Sequence, residues 1–192
     1  LWEKETKGSD IVERFTVGRD LEFDIHLAPY DVLGSLAHTE MLAQIGLLES
    51  EDKEAIHVEL KTIFKDIEQG SFEIQEGVED IHSQVEFILT ERLGDVGKKV
   101  HSGRSRNDQV LVDLKLYMRQ QIKEIVEGTD KLFQRLTTLA ETNKDVLMPG
   151  YTHMQVAMPS SFGLWFGAYA ESLVDDLHMM LAANKIVDKT KN

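Results

Sequence analysis

The chain has 192 residues, 42% of them hydrophobic and 29% charged, with only three prolines, a balance that suits a folded, helix-rich protein and excludes a disordered one. Thirty-four acidic against 21 basic residues give a formal charge of -13, which repels a phosphate backbone and argues against nucleic acid as a partner. The absence of cysteine excludes disulfides and thiolate zinc sites. No apolar run reaches the roughly 18–20 residues of a membrane span and the opening LWEKETKGSD is no secretory signal, so no membrane partner and a cytoplasmic location are expected.

In chain order, apolar residues recur at helical spacing from Asp24 to Gly46, through Leu27, Val32, Leu36, Leu42 and Ile45, and predict a first helix that Gly46 ends. Ser50 stands as the N-cap of a second helix, with acidic residues in its first turn and Ile56, Val58, Leu60, Ile63 and Ile67 along it up to Gly70. A short extended stretch around Phe72 to Ile74 precedes a third helix from about Glu79 to Leu93, closed by Gly94 and Gly97. Composition then changes at GDVGKKVHSGRSRND, where the domain boundary is placed: 1–104 as a small N-terminal helical domain, 105–192 as the first part of a central bundle of long helices. The predicted fold class is all-α.

From about Asp108 to Asn143, Leu111, Met118, Ile125, Leu132 and Leu139 fall seven residues apart. Such a helix runs roughly 50 Å at 1.5 Å per residue, too long for the small preceding helices to bury, so it needs partners. MPGYTHMQ breaks the pattern as a turn, and Pro159-Ser160 opens another helix carrying Phe162, Trp165, Phe166, Tyr169 and Leu173, an aromatic face that reads as bundle core rather than a cofactor box.

Two stretches concentrate polar chemistry. His101-Ser-Gly-Arg-Ser-Arg-Asn-Asp-Gln109 places the guanidinium groups of Arg104 and Arg106, the hydroxyls of Ser102 and Ser105 and the amide of Asn107 ahead of a helix N-terminus, an arrangement suited to a dicarboxylate. The alternative is an arginine-rich loop that caps its helix and pairs with surface acids; the density of polar groups favours the first reading. Pro149-Gly-Tyr-Thr-His-Met-Gln155 offers Thr152, His153 and Gln155, with His153 the candidate acid or base because its ordinary pKa suits proton transfer at neutral pH. A single histidine is more often structural. Glu79 and Asp80 favour a helix N-terminus, and capping alone explains them. The histidines at 26, 38, 57, 82 and 178 lack a zinc-type spacing, so no metal is expected.

VEDIHSQVE, GKKVHSGRSRNDQVLVDLKL and MPGYTHMQVAMP resemble successive signature segments of the argininosuccinate lyase family of the aspartase/fumarase superfamily. The resemblance covers nearly the whole chain. It implies a helical homotetramer in which each site gathers segments from three subunits, and an anti elimination of argininosuccinate to arginine and fumarate that needs no cofactor. By the same resemblance Arg106 and Asn107 bind substrate carboxylates, Thr152 contacts its succinyl part, Ser105 and Gln155 also bind substrate, His153 is catalytic, and Asp80, His101, Ser102 and Arg104 support the site. The family's opening Trp-Gly-Gly-Arg-Phe is here Trp2-Glu3-Lys4-Glu5, and its N-terminal substrate serine has no clean counterpart in 16–20. The family's mobile serine loop does not occur in these residues, so the resemblance is to an N-terminal portion that is inactive alone. The runners-up are another fumarate-releasing lyase acting on a substrate such as adenylosuccinate, and a non-catalytic helical assembly protein.

Overall fold

The structure is a computed structural model that describes residues 15, 18–75 and 77–189; the departures at Trp2 to Glu5 and at 16–17 lie outside them. The chain packs as two compact units, one through Tyr117 and one from Met118, so the packing division falls inside the long helix. The expected helical fold is present, with one two-stranded sheet added.

In the first unit α1 (Asp20–Asp24) and a 3-10 turn (Ile25–Leu27) lead into α2 (Ala28–Gln44), followed by α3 (Ser50–Glu68), α4 (Ile81–Leu93), the short α5 (Asp95–Lys98) and a second 3-10 turn (Lys99–His101). Helix α2 therefore starts later than Asp24, with Pro29 in its first turn, where a missing N–H costs nothing. Gly46 and Gly70 end α2 and α3 in the same way. Each takes a positive φ, and the following N–H, of Leu47 or Ser71, bonds back to Leu42 O or Asp66 O at 2.9 Å. The cap of α3 is Glu49, not Ser50: Glu49 is the extended residue and Ser50 is already helical, with no side-chain cap bond. Asp80 caps α4 by accepting from Ser83 N at 2.8 Å.

The core is built from one stripe per helix: Val32 and Leu42 of α2, Ile56, Leu60 and Ile63 of α3, and Ile81, Val85 and Leu89 of α4. Burying each contributes roughly 1.5–3 kcal/mol. Val58, expected on that face, is exposed because it falls between Ile56 and Leu60 on the opposite side of the helix. Phe72 and Ile74 pack against this core as extended chain, without a strand partner among the described residues. Gly97 does not end α4; it lies where α5 crosses it, and a Cβ there would come 2.2 Å from Leu89 O.

Helix α6 (Arg106–Thr142) runs 37 residues through both units. The second unit continues with β1 (Leu147–Thr152), β2 (Gln155–Ser161) and α7 (Phe162–Val187). The strands pair antiparallel with Thr152 opposite Gln155, so MPGYTHMQ is a hairpin rather than a turn between helices. Pro159-Ser160 stays in β2, where a two-stranded ribbon tolerates proline, and α7 opens at Phe162 with the Ser161 hydroxyl accepting from Leu164 N at 3.1 Å. Gly163 lets α7 start against the end of α6: a Cβ would lie 2.6 Å from Lys144 Cα. Among the described residues no helix is long and apolar enough to cross a membrane.

Two glycine substitutions separate these environments. Gly97→Ala should cost about 1–3 kcal/mol, since its neighbour is backbone, whereas Gly128→Ala, in α6 with open space around its Cβ position, should stabilise by roughly 0.5–1 kcal/mol. Urea unfolding midpoints measure both.

Candidate active site

The first turn of α6 is held by a side-chain cap and by the start of α4. Asp108 Oδ2 accepts from Ser105 N at 2.7 Å, the return half of a capping box. Arg106, the first helical residue, donates from one terminal nitrogen to Asp80 Oδ2 at 2.7 Å and Glu79 Oε2 at 3.2 Å, and from the other to Ser83 Oγ at 2.9 Å. Asp80 thus holds its own helix start with one oxygen and Arg106 with the other. Asn107 is exposed beside the unpaired N–H groups of the helix start, a polarity that favours anions. Asp24 reaches the same corner, accepting from Ile81 N at 2.5 Å, and burial raises its pKa against the lowering effect of that bond. A cleft of about 770 Å³ opens here, lined by Asp20, Phe23, Asp24, His26, Leu27, Glu79, Asp80, Leu114 and Tyr117.

The two arginines of the motif have different environments. Arg104 turns inward and donates to Ser35 Oγ of α2 at 3.0 Å, and burial lowers its pKa while the fields of Asp31 and Asp113 oppose the shift. His38 of α2 bonds Ser102 O at 2.8 Å, and His101 closes the 3-10 turn just before it. These contacts give Arg104 and Ser102 the task of pinning the loop to α2, leaving Arg106 and Asn107 at the helix start.

Behind that loop lies a polar cluster that sequence reasoning passed over. His82 Nδ1 donates to Asp31 Oδ1 at 2.7 Å and sits 3.5 Å from Asp113 Oδ2, while Gln109 Nε2 donates to Asp31 Oδ1 at 3.4 Å. All four residues are buried. Burial disfavours the charged ring of His82, but the Asp31 bond and the charges of Asp31, Asp113 and Asp80 more than offset it and raise its pKa. Burial, then the charge of Asp31, pushes the Asp113 carboxyl up to about 8, with His82 and Arg104 pulling the other way. The available signal was positional: Asp31 and Ser35, like Gln109 and Asp113, are four apart on inward faces, where an acid needs a partner.

In the second unit Thr152, His153 and Gln155 gather at the hairpin tip, all exposed. His153 and Met154 form its two-residue turn with φ of 47° and 60°, the left-handed geometry usually given to Asn-Gly. Left-handed backbone costs a side-chain-bearing residue roughly 1–2 kcal/mol, and strain of this kind concentrates at functional sites. The expected site residues therefore divide between the units: Asp80, His101, Ser102, Arg104, Ser105, Arg106 and Asn107 in the first, Thr152, His153 and Gln155 in the second.

A helical scaffold that sets cations and amides at a helix start and a histidine on a strained turn is matched by a protein-family model described as lyase over residues 4–192, and the chain belongs to that lyase family. Its similarity within the family is to argininosuccinate lyases. It is 62% identical over 189 residues to that of Bacteroides thetaiotaomicron, covering 98% of this chain and 42% of the relative. To that of Laribacter hongkongensis it is 43% identical over 181 residues, covering 94% and 39%. The chain thus spans about two fifths of the length of these relatives. Among solved structures, an EDDS lyase variant with bound fumarate matches with a TM-score of 0.74 at 24% identity, over 95% of this chain and 36% of that one. A fumarate lyase:delta crystallin from Brucella melitensis matches with a TM-score of 0.74 at 18% identity, over 87% and 41%. These two likenesses concern the fold.

Replacing Met154 by glycine should relieve the turn and raise unfolding free energy by about 1 kcal/mol, and Met154→Val should lower it, because a β-branched residue fits that backbone worst. Chemical denaturation of the two variants checks the pair.

Proposed function

We propose that this chain is part of an argininosuccinate lyase, which splits argininosuccinate into arginine and fumarate by anti elimination, a step of arginine biosynthesis. The observation that carries the reading is the 62% identity to an argininosuccinate lyase over 189 residues, a stretch that includes both polar segments. The arrangement of Arg106 and Asn107 at the start of α6, and of His153 on a strained hairpin tip, supports it.

In this reading proton removal from the succinyl carbon beside a carboxylate creates a carbanion delocalised into that carboxylate. Cations and donors fixed before the reaction lower the energy of that charge more than the energy of the substrate. Arg106 and Asn107, with Ser105 and the helix start, bind the substrate carboxylates. Thr152 and Gln155 hold the succinyl part, His153 takes part in proton transfer, and Asp80, His101, Ser102 and Arg104 support them. The chemistry needs no cofactor.

Self-association as a homotetramer, in which segments of three subunits gather at each site, is supported by uncovered apolar faces: Leu111, Met118, Ile125 and Leu132 on α6, and Trp165, Tyr169 and Leu181 on α7, are all exposed. The reading includes a cytoplasmic enzyme, a functional division into 1–104 and 105–192, and no turnover by these 192 residues alone, since the serine loop of the family is not among them.

Fumarate release by the full-length protein tests the assignment. Argininosuccinate should be cleaved and adenylosuccinate not, with His153→Asn slowing turnover by about 10²–10⁴-fold. Equal rates for protein and variant would remove His153 from the mechanism, and cleavage of adenylosuccinate instead would favour the related lyase.

A further inference from the structure

Asp31, His82 and Asp113 come from α2, α4 and α6, are all buried, and present one ligand-type atom each within 4.8 Å of one another. The proposed elimination uses none of them. Three such atoms match the donor set of a divalent cation, yet the cluster already contains its own positive charge. His82 Nδ1, the ring nitrogen bonded to Asp31, faces both carboxylates, and the Arg104 guanidinium acts on the same two acids. Two ionised carboxylates at this depth repel one another and lose their hydration, so the stable arrangement keeps one proton between Asp31 and Asp113. Asp31 Oδ2 and Asp113 Oδ2 are both buried without a hydrogen-bond partner, and a proton held between the two carboxyl groups would satisfy them.

We propose that Asp31, His82 and Asp113 form a buried proton-sharing lock that fixes the start of α4 against α2 and α6, making His82 and Asp113 positioning residues for the Asp80–Arg106 pair. His82 stands two residues after Asp80, the cap of α4, and Asp113 two helical turns after Arg106. The Asp80–Arg106 contact at 2.7 Å is therefore the outer end of the same seam that the lock closes inside. Gly34 of α2 sets the spacing: a Cβ there would meet Asp113 Oδ1 at 3.3 Å and Val112 Cγ1 at 3.5 Å, so α2 approaches α6 only as glycine allows. Truncating Asp113 leaves His82 and Asp31 as an incomplete buried pair and frees α4 to shift relative to Arg106.

The lock titrates with a defined sign. Asp113 faces Asp31 from α2, His82 from α4 and Arg104 from the turn before α6, and Glu86 of α4 acts in turn on Arg104. Its folded pKa of about 8 lies above the unfolded carboxylate value near 4. Its contribution to stability is then fully present below about pH 4, declines as the pH rises, and is lost once the pH passes about 8. His82, also raised, acts in the same direction.

The activity arm of the test rests on the lyase reading and the stability arm does not. In the full-length protein, unfolding free energy is measured against pH, with kcat and KM for argininosuccinate, for wild type, Asp113→Asn and Asp113→Ala. An asparagine amide can donate to Asp31 as a protonated Asp113 would, so Asp113→Asn should hold kcat within about threefold while flattening the decline in stability between about pH 5 and 8. Asp113→Ala should lower kcat by about tenfold or more at little change in KM, as misplaced catalytic groups do. The proposal is overturned if the pH dependence of stability is the same in wild type and Asp113→Asn, if the asparagine variant loses as much activity as the alanine variant, or if metal analysis finds one zinc or manganese per chain that His82→Asn removes. Should Asp113→Ala fail to fold, the pH profile of Asp113→Asn decides. Should the wild type prove inactive on argininosuccinate, the lyase reading fails and the stability arm still decides the lock.

Discussion

Two helices that begin side by side present a concentrated problem: each start exposes unpaired N–H groups, and the first turns must still be held against their neighbours. Asp80 answers for both α4 and α6. One oxygen takes Ser83 N and caps α4, and the other takes the Arg106 guanidinium and so anchors the first residue of α6. Everything distinctive in the first unit arranges itself around that contact. Asp24 bonds the N–H of Ile81 from one side, Glu79 and Ser83 complete the partners of Arg106, and the buried His82 cluster lies directly beneath. The cation is held firmly at the helix start, as the proposed binding of substrate carboxylates requires, by acids that also moderate its charge.

The second unit uses a different device. A hairpin projects His153 on two left-handed residues, neither of them glycine, and the backbone cost is tolerated because strand pairing on both sides dictates the turn. Helices α6 and α7 meanwhile leave large apolar side chains uncovered, including Trp165 and Tyr169 of an interlocked aromatic row whose ring centroids lie 5.4 Å apart. Apolar stripes of this length have a function only when another surface covers them, and the proposed tetramer supplies one.

Much of this was legible in the sequence. Periodicity located α2, α3 and α4 because each buries one stripe, and α6 because its apolar residues recur every seven positions although that stripe is uncovered in the chain; glycine marked the ends of α2 and α3 because both close through a left-handed residue. The motif HSGRSRNDQ was recognisable as a helix start carrying cations, though which arginine faces inward depends on Ser35 and Asp31, far away in sequence. The hairpin was missed because Pro149, Gly150 and Pro159 signal breaks, and an edge-only ribbon is the one sheet that accommodates them. Asp31, His82 and Asp113 were missed for a deeper reason. An acid or histidine within a helix pattern is usually solvated, and only the packing of three helices reveals that these share one buried space.

The most direct measurement is a double-mutant cycle on Asp80→Ala and Arg106→Ala, read as unfolding free energy in the full-length protein. If their contact organises both helix starts, the two changes will be non-additive by about 1 kcal/mol or more. Additivity within roughly 0.3–0.5 kcal/mol would mean that apolar packing alone sets the two helices, and the account built on Asp80 would be wrong.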